Sequence, residues 1–254
     1  MKELLAAVLA AFLVYLIYDT LIGKTGVAAP LLKKRKRLCD YYAAGSVYED
    51  IPSALAKGIR LLEVHVYSDE RDQPVVATRP QNSGNNFADD NISFEQVCID
   101  IVNDAFPSKD PFILSIMMHT DRSVTTNLVA HHLKTIARRH LLADKDLADA
   151  PIDSLANKLV VVSGGTIHGT DLASLVNMNW SESRFRRITY QQGLHPRDPS
   201  ELTEFNRDFI TLVGPEPELK SVNVNPDTPL AFGCQWNLMR KEPAGFWEKP
   251  AGLQ

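Results

Sequence analysis

The stretch GIRLLEVHVYSDERDQPVV, residues 58–76, decides the fold of this chain. An apolar segment that carries Glu63 and His65 is followed by an acidic turn at residues 68–72 and by a second segment at residues 73–77. Polar positions alternate with apolar ones, and this alternation predicts two β-strands joined by the turn. Side chains two residues apart lie on the same face of a strand, so Glu63 and His65 are expected to point to the same side.

Residues 54–80, ALAKGIRLLEVHVYSDERDQPVVATRP, resemble a segment of the X region of eukaryotic phosphoinositide-specific phospholipase C with the pattern ALxKGxRxxExDxxD…PVVxHG. Three further blocks follow in the family's order. They are PFILSIMMH at 111–119 with the helix segment LVAHHLKTI after it, SLANKLVVVSGG at 154–165, and VNVNPDTPLAFGCQWNLM at 222–239. These blocks are similar to PVILSLENH…MAxHLKxI, LKGKILIKGKK and the Y-region NYNPxxxWxxGCQxVALN. The chain therefore resembles the X/Y catalytic barrel of the PLC-like phosphodiesterase superfamily.

This resemblance implies an α/β fold, a (β/α)8 TIM-like barrel, for residues 38–254. About 215 residues suffice for such a barrel but are few for fused X and Y regions, so a shortened or distorted barrel is expected. Capping residues and prolines predict helices from Ser93 to Ala105 and from Pro199 to about Phe209, with another from Thr125 to Arg139. Strands are expected between the helices.

The resemblance also implies a reaction that this chain is poorly equipped to perform. In the family, one histidine deprotonates the inositol 2-hydroxyl and a second stabilises the transition state, while Ca²⁺ held by carboxylates neutralises phosphate charge. The segment that would hold the first histidine, LCDYYAAG at 38–45, has none, and Thr78 stands at the position of the second. Neither acid–base group is therefore expected.

The calcium ligands that the resemblance implies are incomplete in the same way. Glu63 matches one carboxylate, but His65 replaces an aspartate and Met117 replaces a glutamate. Because Ca²⁺ prefers oxygen ligands, we expect no bound metal and no cofactor. The family's RIYP-like segment on the substrate-phosphate side corresponds to LVGP at 212–215, which lacks the arginine and the tyrosine. The sequence predicts a pseudoenzyme without catalytic residues, in which relic positions remain at the barrel mouth: Glu63, His65, Thr78, Met117 and His119.

A different chemistry stays open for the polar residues of this region. Glu63, His65 and His119 are also candidates for a transition-metal site, such as a zinc site, if they converge at the barrel mouth. The same three residues are candidates for a rearranged active site in a membrane-tethered phosphodiesterase acting on phosphoinositides or related phosphodiesters. Either alternative requires the three side chains to lie close to a common point.

The N-terminal segment carries a second strong signal. Residues 4–18 are apolar, and residues 1–23 are long enough for a transmembrane anchor. A cleaved signal peptide with small residues at Val27 to Ala29 is the competing interpretation. Residues 24–37 form a basic juxtamembrane linker whose positive charge predicts a single-pass protein with its barrel on the cytoplasmic side, or on the matrix side of an organelle. The candidates for binding anionic lipid headgroups are Lys33, Lys34, Arg35, Lys36 and Arg37.

Net charge and cysteine spacing argue against nucleic acid and cysteine-bound metal as partners. The net charge of -4 gives no reason to expect nucleic acid, and Cys39, Cys98 and Cys234 lack metal-type spacing. We therefore expect a non-catalytic, membrane-anchored structural or accessory subunit that contacts other protein subunits in a larger assembly. A respiratory-type complex and the membrane-apposed layer of a virion are two such assemblies. A sensor of lipid headgroups is a further hypothesis.

Overall fold

A computed structural model describes residues 36–47, 50–77, 91–165, 167–182, 184–215, 225–239 and the backbone of 245–248. The predicted anchor at residues 1–23, most of the basic linker and Thr78 lie outside these ranges. Within the described ranges, no helix has the length and apolar character needed to cross a bilayer.

Strands of an almost closed barrel dominate the fold. In chain order, the strands are β1 (Tyr41–Val47), β2 (Leu61–Ser68), β3 (Pro74–Val76), β4 (Ile92–Ser93), β5 (Phe112–Met118), β6 (Leu159–Ser163), β7 (Met178–Asn179), β8 (Phe185–Thr189), β9 (Ile210–Gly214), β10 (Trp236–Met239) and β11 (Gly245–Glu248). Eight of them pair side by side in the order β7-β6-β5-β2-β1-β10-β9-β8, and each of these pairs is parallel. The parallel TIM-like barrel expected from the sequence is therefore confirmed.

The remaining strands and the seam show where the barrel departs from regularity. The β3 and β4 strands form an antiparallel extension of β2, while β11 pairs antiparallel with β1. The two ends of the parallel order, β7 and β8, lie close to each other but are not paired. Only residues 180–184 connect these two strands, so no helix separates them. Parallel neighbours normally need a longer crossover, and its absence accounts for the open seam.

Helices cover the outside of the barrel. They are α1 (Ile51–Ala56), α2 (Phe94–Asp104), α3 (Ser123–Ile136), α4 (Asp171–Leu175), α5 (Tyr190–Leu194), α6 (Pro199–Asp208) and α7 (Asp227–Ala231). Ser93 caps α2 by accepting a hydrogen bond from the Gln96 backbone, and Asp198 caps α6 in front of Pro199, as predicted. The α3 helix begins two residues before the predicted Thr125 and ends three before Arg139.

The apolar core has an inner and an outer layer. Alternate residues of each strand fill the barrel interior, where Leu61, Ile113 and Trp236 are fully buried. The intervening residues, such as Leu62 and Leu114, pack outward against the helices. The inner layer is apolar near the amino ends of the strands. Its polar side chains lie in the middle of the barrel and at the mouth formed by the carboxyl ends of the strands.

Candidate functional site

A buried ion pair crosses the interior of the barrel. Glu63 on β2 is fully buried at its side chain and faces Arg187 on β8, whose side chain is 8% exposed. Arg187 Nη2 lies 2.8 Å from Glu63 Oε1, and Arg187 Nε lies 3.0 Å from Glu63 Oε2. The Ser115 hydroxyl donates a third hydrogen bond to Oε2 at 3.0 Å. The guanidinium and the hydroxyl together satisfy both oxygens of the carboxylate.

Strand register explains how these groups meet. Glu63 and Ser115 are direct neighbours in the parallel pairing of β2 with β5. Arg187 reaches them from the other side of the barrel, and its Nη2 also donates to the Pro215 backbone oxygen at 3.2 Å. Gly214 makes room for this path, because a Cβ at that position would lie 2.7 Å from Arg187 Nη2. The LVGP segment at 212–215 thus serves to accommodate Arg187.

The environment of Glu63 favours the ionised carboxylate. Burial by itself would raise the pKa of Glu63, but the charge of Arg187 and the hydrogen bonds from His65 and Arg187 outweigh it. As a result, the pKa of Glu63 lies well below its ordinary value. The carboxylate and the guanidinium therefore form a neutral pair inside the barrel across the physiological pH range.

A chain of histidines leads from this pair to the mouth. His65 is buried, and its Nε2 lies 3.4 Å from Glu63 Oε1, which confirms that the two side chains share a face. His119, just beyond β5, places Nε2 at 2.9 Å from Nδ1 of His65. Its ring stacks on Tyr67 with the ring centroids 4.6 Å apart. Because ionised Glu63 only accepts, His65 Nε2 donates, His65 Nδ1 accepts from His119, and Nδ1 of His119 ends the chain as an acceptor.

His119 is a weak base in this position. Burial against its neighbours and the proximity of His65 lower the pKa of His119 to about 4, and the attraction of Glu63 does not offset them. Arg187 also opposes protonation. The imidazole is therefore neutral at pH 7, although it lies at the exposed rim of the barrel.

Neither the calcium site of the family nor the alternative zinc site fits this arrangement. Glu63, His65 and His119 converge as the alternative hypothesis requires, but as a linear chain of hydrogen bonds in which ring nitrogens face each other. Among the described residues, no group of three or more His, Cys, Asp or Glu side chains has the arrangement of a metal site. Met117, the neighbour of His65 in the sheet register, presents a thioether where a carboxylate would be needed. These residues fit neither the calcium of the family nor zinc.

Arg37, which the sequence predicts as a headgroup ligand, forms ion pairs with aspartates of the barrel. Its Nη1 lies 2.8 Å from Asp208 Oδ1 and 3.3 Å from Asp149 Oδ1, and its Nη2 lies 3.0 Å from Asp40 Oδ1. The hydrogen bonds to Asp40 and Asp208 raise the pKa of Arg37 above its ordinary value. Contact with the barrel already includes Lys36, whose backbone oxygen accepts a hydrogen bond from the Ile152 backbone. The other candidates, Lys33, Lys34 and Arg35, lie outside the described residues.

Sequence reasoning missed two residues of the site. Ser115 lies two residues before Met117 on the same strand face, so alternation was a signal that could have found it. Arg187 had no such signal, because its partner Glu63 is 124 positions away in the chain. Only the closure of the barrel shows that this arginine enters the interior.

Comparisons with known proteins support the class of fold and the family. Residues 38–163 match the family model described as phosphatidylinositol-specific phospholipase C, X domain. The structure of S. officinalis PLC21 has a TM-score of 0.71 at 16% identity, over 87% of this chain and 38% of that chain. The calcium-dependent phosphoinositol-specific phospholipase C of Pseudomonas sp. has a TM-score of 0.60 at 12% identity, over 87% of this chain and 98% of that chain. No curated protein sequence matches.

The parallel strands and the helices around them define an α/β barrel with the fold of phosphoinositide-specific phospholipases C. Residues 38–163 belong to the X-domain family of phosphatidylinositol-specific phospholipase C, and this match confirms the X-region resemblance. It spans little more than a third of the length of the S. officinalis protein, of which it covers 38%.

Proposed function

We propose that this chain is a non-catalytic, membrane-anchored phospholipase C-like protein that serves as a structural or accessory subunit of a larger membrane-associated assembly. The observation that carries this proposal is the double hydrogen bond from Arg187 to Glu63. It occupies the one carboxylate that matches a calcium ligand of the family. A divalent cation would have to displace a guanidinium from both oxygens and then share the interior with its positive charge.

The acid–base groups support the same conclusion. His65 and His119 do not stand at the positions of the family's two histidines, and the Arg187 guanidinium neutralises the carboxylate at the base of their chain. A neutralised carboxylate gives the imidazoles little help in taking up a proton. A general base works best when its pKa lies near the working pH. The pKa of His119, about 4, is well below a working pH near 7.

The membrane part of the proposal is supported by the sequence. The apolar residues 4–18 suit a bilayer core, and the basic run KKRKR at 33–37 suits the cytoplasmic or matrix surface of that bilayer. A barrel without its family's reaction, tethered in this way, is suited to contacts with other subunits. We also propose that Lys33, Lys34, Arg35 and Lys36 contact anionic lipid headgroups. Each such residue near the surface would contribute about 1 kcal/mol to the free energy of membrane binding.

One observation favours a second candidate function. The continuous chain from Glu63 through His65 to His119 ends in an imidazole acceptor at the mouth, where a substrate hydroxyl has access. This arrangement would suit a phosphodiesterase with a rearranged active site. The weak basicity of His119 is the argument against it.

Hydrolysis of phosphatidylinositol and its phosphates distinguishes the two candidates. We expect the detergent-solubilised full chain to give no turnover above background, with or without calcium. His119→Gln is the appropriate control variant, because it removes the terminal acceptor and leaves the Glu63 and Arg187 pair intact. Turnover that falls about 10²-fold or more in His119→Gln would establish the second candidate instead.

Calcium is expected to leave the thermal stability of the chain unchanged. A site with a dissociation constant of about 1 μM would add about 4 kcal/mol to the free energy of unfolding at 1 mM calcium. We expect no increase in Tm in a calorimetric scan at 1 mM CaCl₂ relative to EDTA, with MgCl₂ as the control for ionic strength. An increase of several degrees with calcium alone would show that Arg187 leaves room for the metal.

A further inference from the structure

Three loops meet at the end of the barrel where the parallel strands begin. Residues 106–110 precede β5, while residues 137–140 and 155–158 lie between α3 and β6. The Asn157 backbone donates to the Lys109 oxygen, and the Leu159 backbone donates to the His140 oxygen, each at 2.8 Å. These bonds bring together the backbones of three cationic residues, which we call the basic corner: Lys109, Arg139 and Lys158. The first two side chains are exposed and the third is partly exposed.

A buried histidine holds Arg139 in place. His140 is 7% exposed, and its ring stacks on Phe106 with the centroids 4.0 Å apart and the planes nearly parallel. His140 Nδ1 lies 2.7 Å from the Asn157 backbone oxygen. Because a carbonyl oxygen only accepts, Nδ1 carries the hydrogen, and Nε2 accepts a hydrogen bond from Arg139 Nε at 2.9 Å. The guanidinium is thus fixed through Nε, and in the described part of the chain its Nη1 and Nη2 have no partner.

The positive charge of the basic corner is not neutralised by nearby acidic residues. None of its three cations forms an ion pair with a described residue. Asp110 is the only acidic residue within four sequence positions of any of them, and it is buried with Arg60, whose Nε lies 3.3 Å from Asp110 Oδ2. Three exposed aspartates lie five positions away and pair with none of the cations: Asp104, Asp144 and Asp153. The corner therefore has three unpaired cations in a chain whose net charge is -4.

The chemistry of the basic corner suits a narrow ligand that carries several carboxylates. A guanidinium fixed through Nε offers two further nitrogens to one carboxylate, and the flanking lysines favour additional negative charge. A flat anionic bilayer suits this end of the barrel poorly, because Asp149 and Asp208, which precede β6 and β9, are exposed there as well. The negative net charge argues against nucleic acid. An acidic segment of a protein fits best, since it can contact the corner alone.

We propose that the basic corner docks an acidic segment of a partner protein. One carboxylate binds the Nη1 and Nη2 edge of Arg139, and neighbouring carboxylates lie beside Lys109 and Lys158. This inference gives the partner of the proposed accessory subunit its chemistry, and it rests on that proposed function for the choice of a protein partner. The docking surface lies at the opposite end of the barrel from His119, so binding there leaves the mouth open.

Binding of a fluorescein-labelled hexaglutamate peptide to the detergent-solubilised full chain tests the proposal by fluorescence anisotropy. We expect the combined variant Lys109→Gln, Arg139→Gln, Lys158→Gln to raise Kd about tenfold, because three charge pairs are lost. The control variant Arg71→Gln, Arg122→Gln, Arg197→Gln removes the same charge from exposed arginines elsewhere, and we expect it to change Kd by less than about twofold. Arg139→Gln alone should raise Kd about threefold, and it replaces the combined variant if circular dichroism shows that variant to be unfolded.

Each result of this experiment bears on the proposal. A loss of affinity in the corner variants that is absent from the control variant supports the docking of an acidic segment. No peptide binding by the wild-type chain, or equal Kd values for the corner and control variants, overturns it. Micelles of short-chain phosphatidylserine that displace the peptide at a lower concentration than unlabelled hexaglutamate would assign the corner to anionic lipid instead. Phosphodiester hydrolysis is measured separately, so failure of this proposal leaves the non-catalytic assignment standing.

Discussion

Replacing Arg187 with methionine is expected to lower the free energy of unfolding by about 3–5 kcal/mol, because removal of one partner leaves a buried charge uncompensated. Glu63 would lose two hydrogen bonds of 2.8 and 3.0 Å and keep only those from Ser115 and His65. Such a loss is a large part of the total stability of a typical domain. Urea unfolding followed by tryptophan fluorescence would measure it.

Arg122→Met is the matched control for this experiment. Arg122 pairs with Asp72 at the surface, with their side chains 52% and 38% exposed, so its replacement should change stability by less than about 1 kcal/mol. The double variant Glu63→Leu with Arg187→Met should recover part of the loss, since an apolar pair leaves no buried charge. Equal effects of Arg187→Met and Arg122→Met would show that the interior pair contributes nothing particular.

The pair of Glu63 and Arg187 should also make the stability of the wild-type chain depend on pH in the acid range. Because the pKa of Glu63 is lowered by folding, the stability it contributes is complete above its unfolded pKa of about 4.5 and is lost as the pH falls toward the folded value. The difference in stability between the wild-type chain and Glu63→Gln should therefore shrink between about pH 4.5 and pH 2. A constant difference over this range would contradict the assigned ionisation of Glu63.

Gln235→Met should lower the free energy of unfolding nearly as much as Arg187→Met, although glutamine carries no charge. Gln235 is fully buried before β10; its Oε1 accepts from the Thr211 backbone at 3.0 Å. Its Nε2 donates to the backbone oxygens of Asn206 and Phe209, each at 2.7 Å. Methionine has a similar shape but leaves these backbone groups unsatisfied at about 1–3 kcal/mol each. We expect a loss of at least about 3 kcal/mol in urea unfolding.

Gln192→Met provides the comparison for that loss. Gln192 is exposed on α5, where its side chain accepts one hydrogen bond from the Thr189 backbone at 2.9 Å. Water can replace this bond, so the same substitution should cost less than about 1 kcal/mol. If Gln235→Met were tolerated as well as Gln192→Met, the hydrogen bonds of Gln235 would not be needed to hold β9, β10 and α6 together.

The sequence predicted the local elements of the barrel well. Alternation in residues 58–76 is a property of neighbouring positions, and it correctly indicated the two strands and the shared face of Glu63 and His65. Ser93 and Asp198 were correctly taken as helix starts because a cap bonds to backbone groups two or three residues away. The boundaries of α3 were less well predicted, since Arg122 caps it without a side-chain hydrogen bond.

Local sequence patterns indicated the family and several strands and helices of the barrel, because these are properties of nearby residues, and they predict that the family's histidines and most of its carboxylates are replaced. The partner of the Glu63 carboxylate follows from the tertiary fold alone. Glu63 binds Arg187 from the far side of the barrel, and Gly214 leaves room for the guanidinium. The physical reason is that a buried charge takes its partner from whichever strand barrel closure brings opposite it, at a separation along the chain that no local pattern encodes.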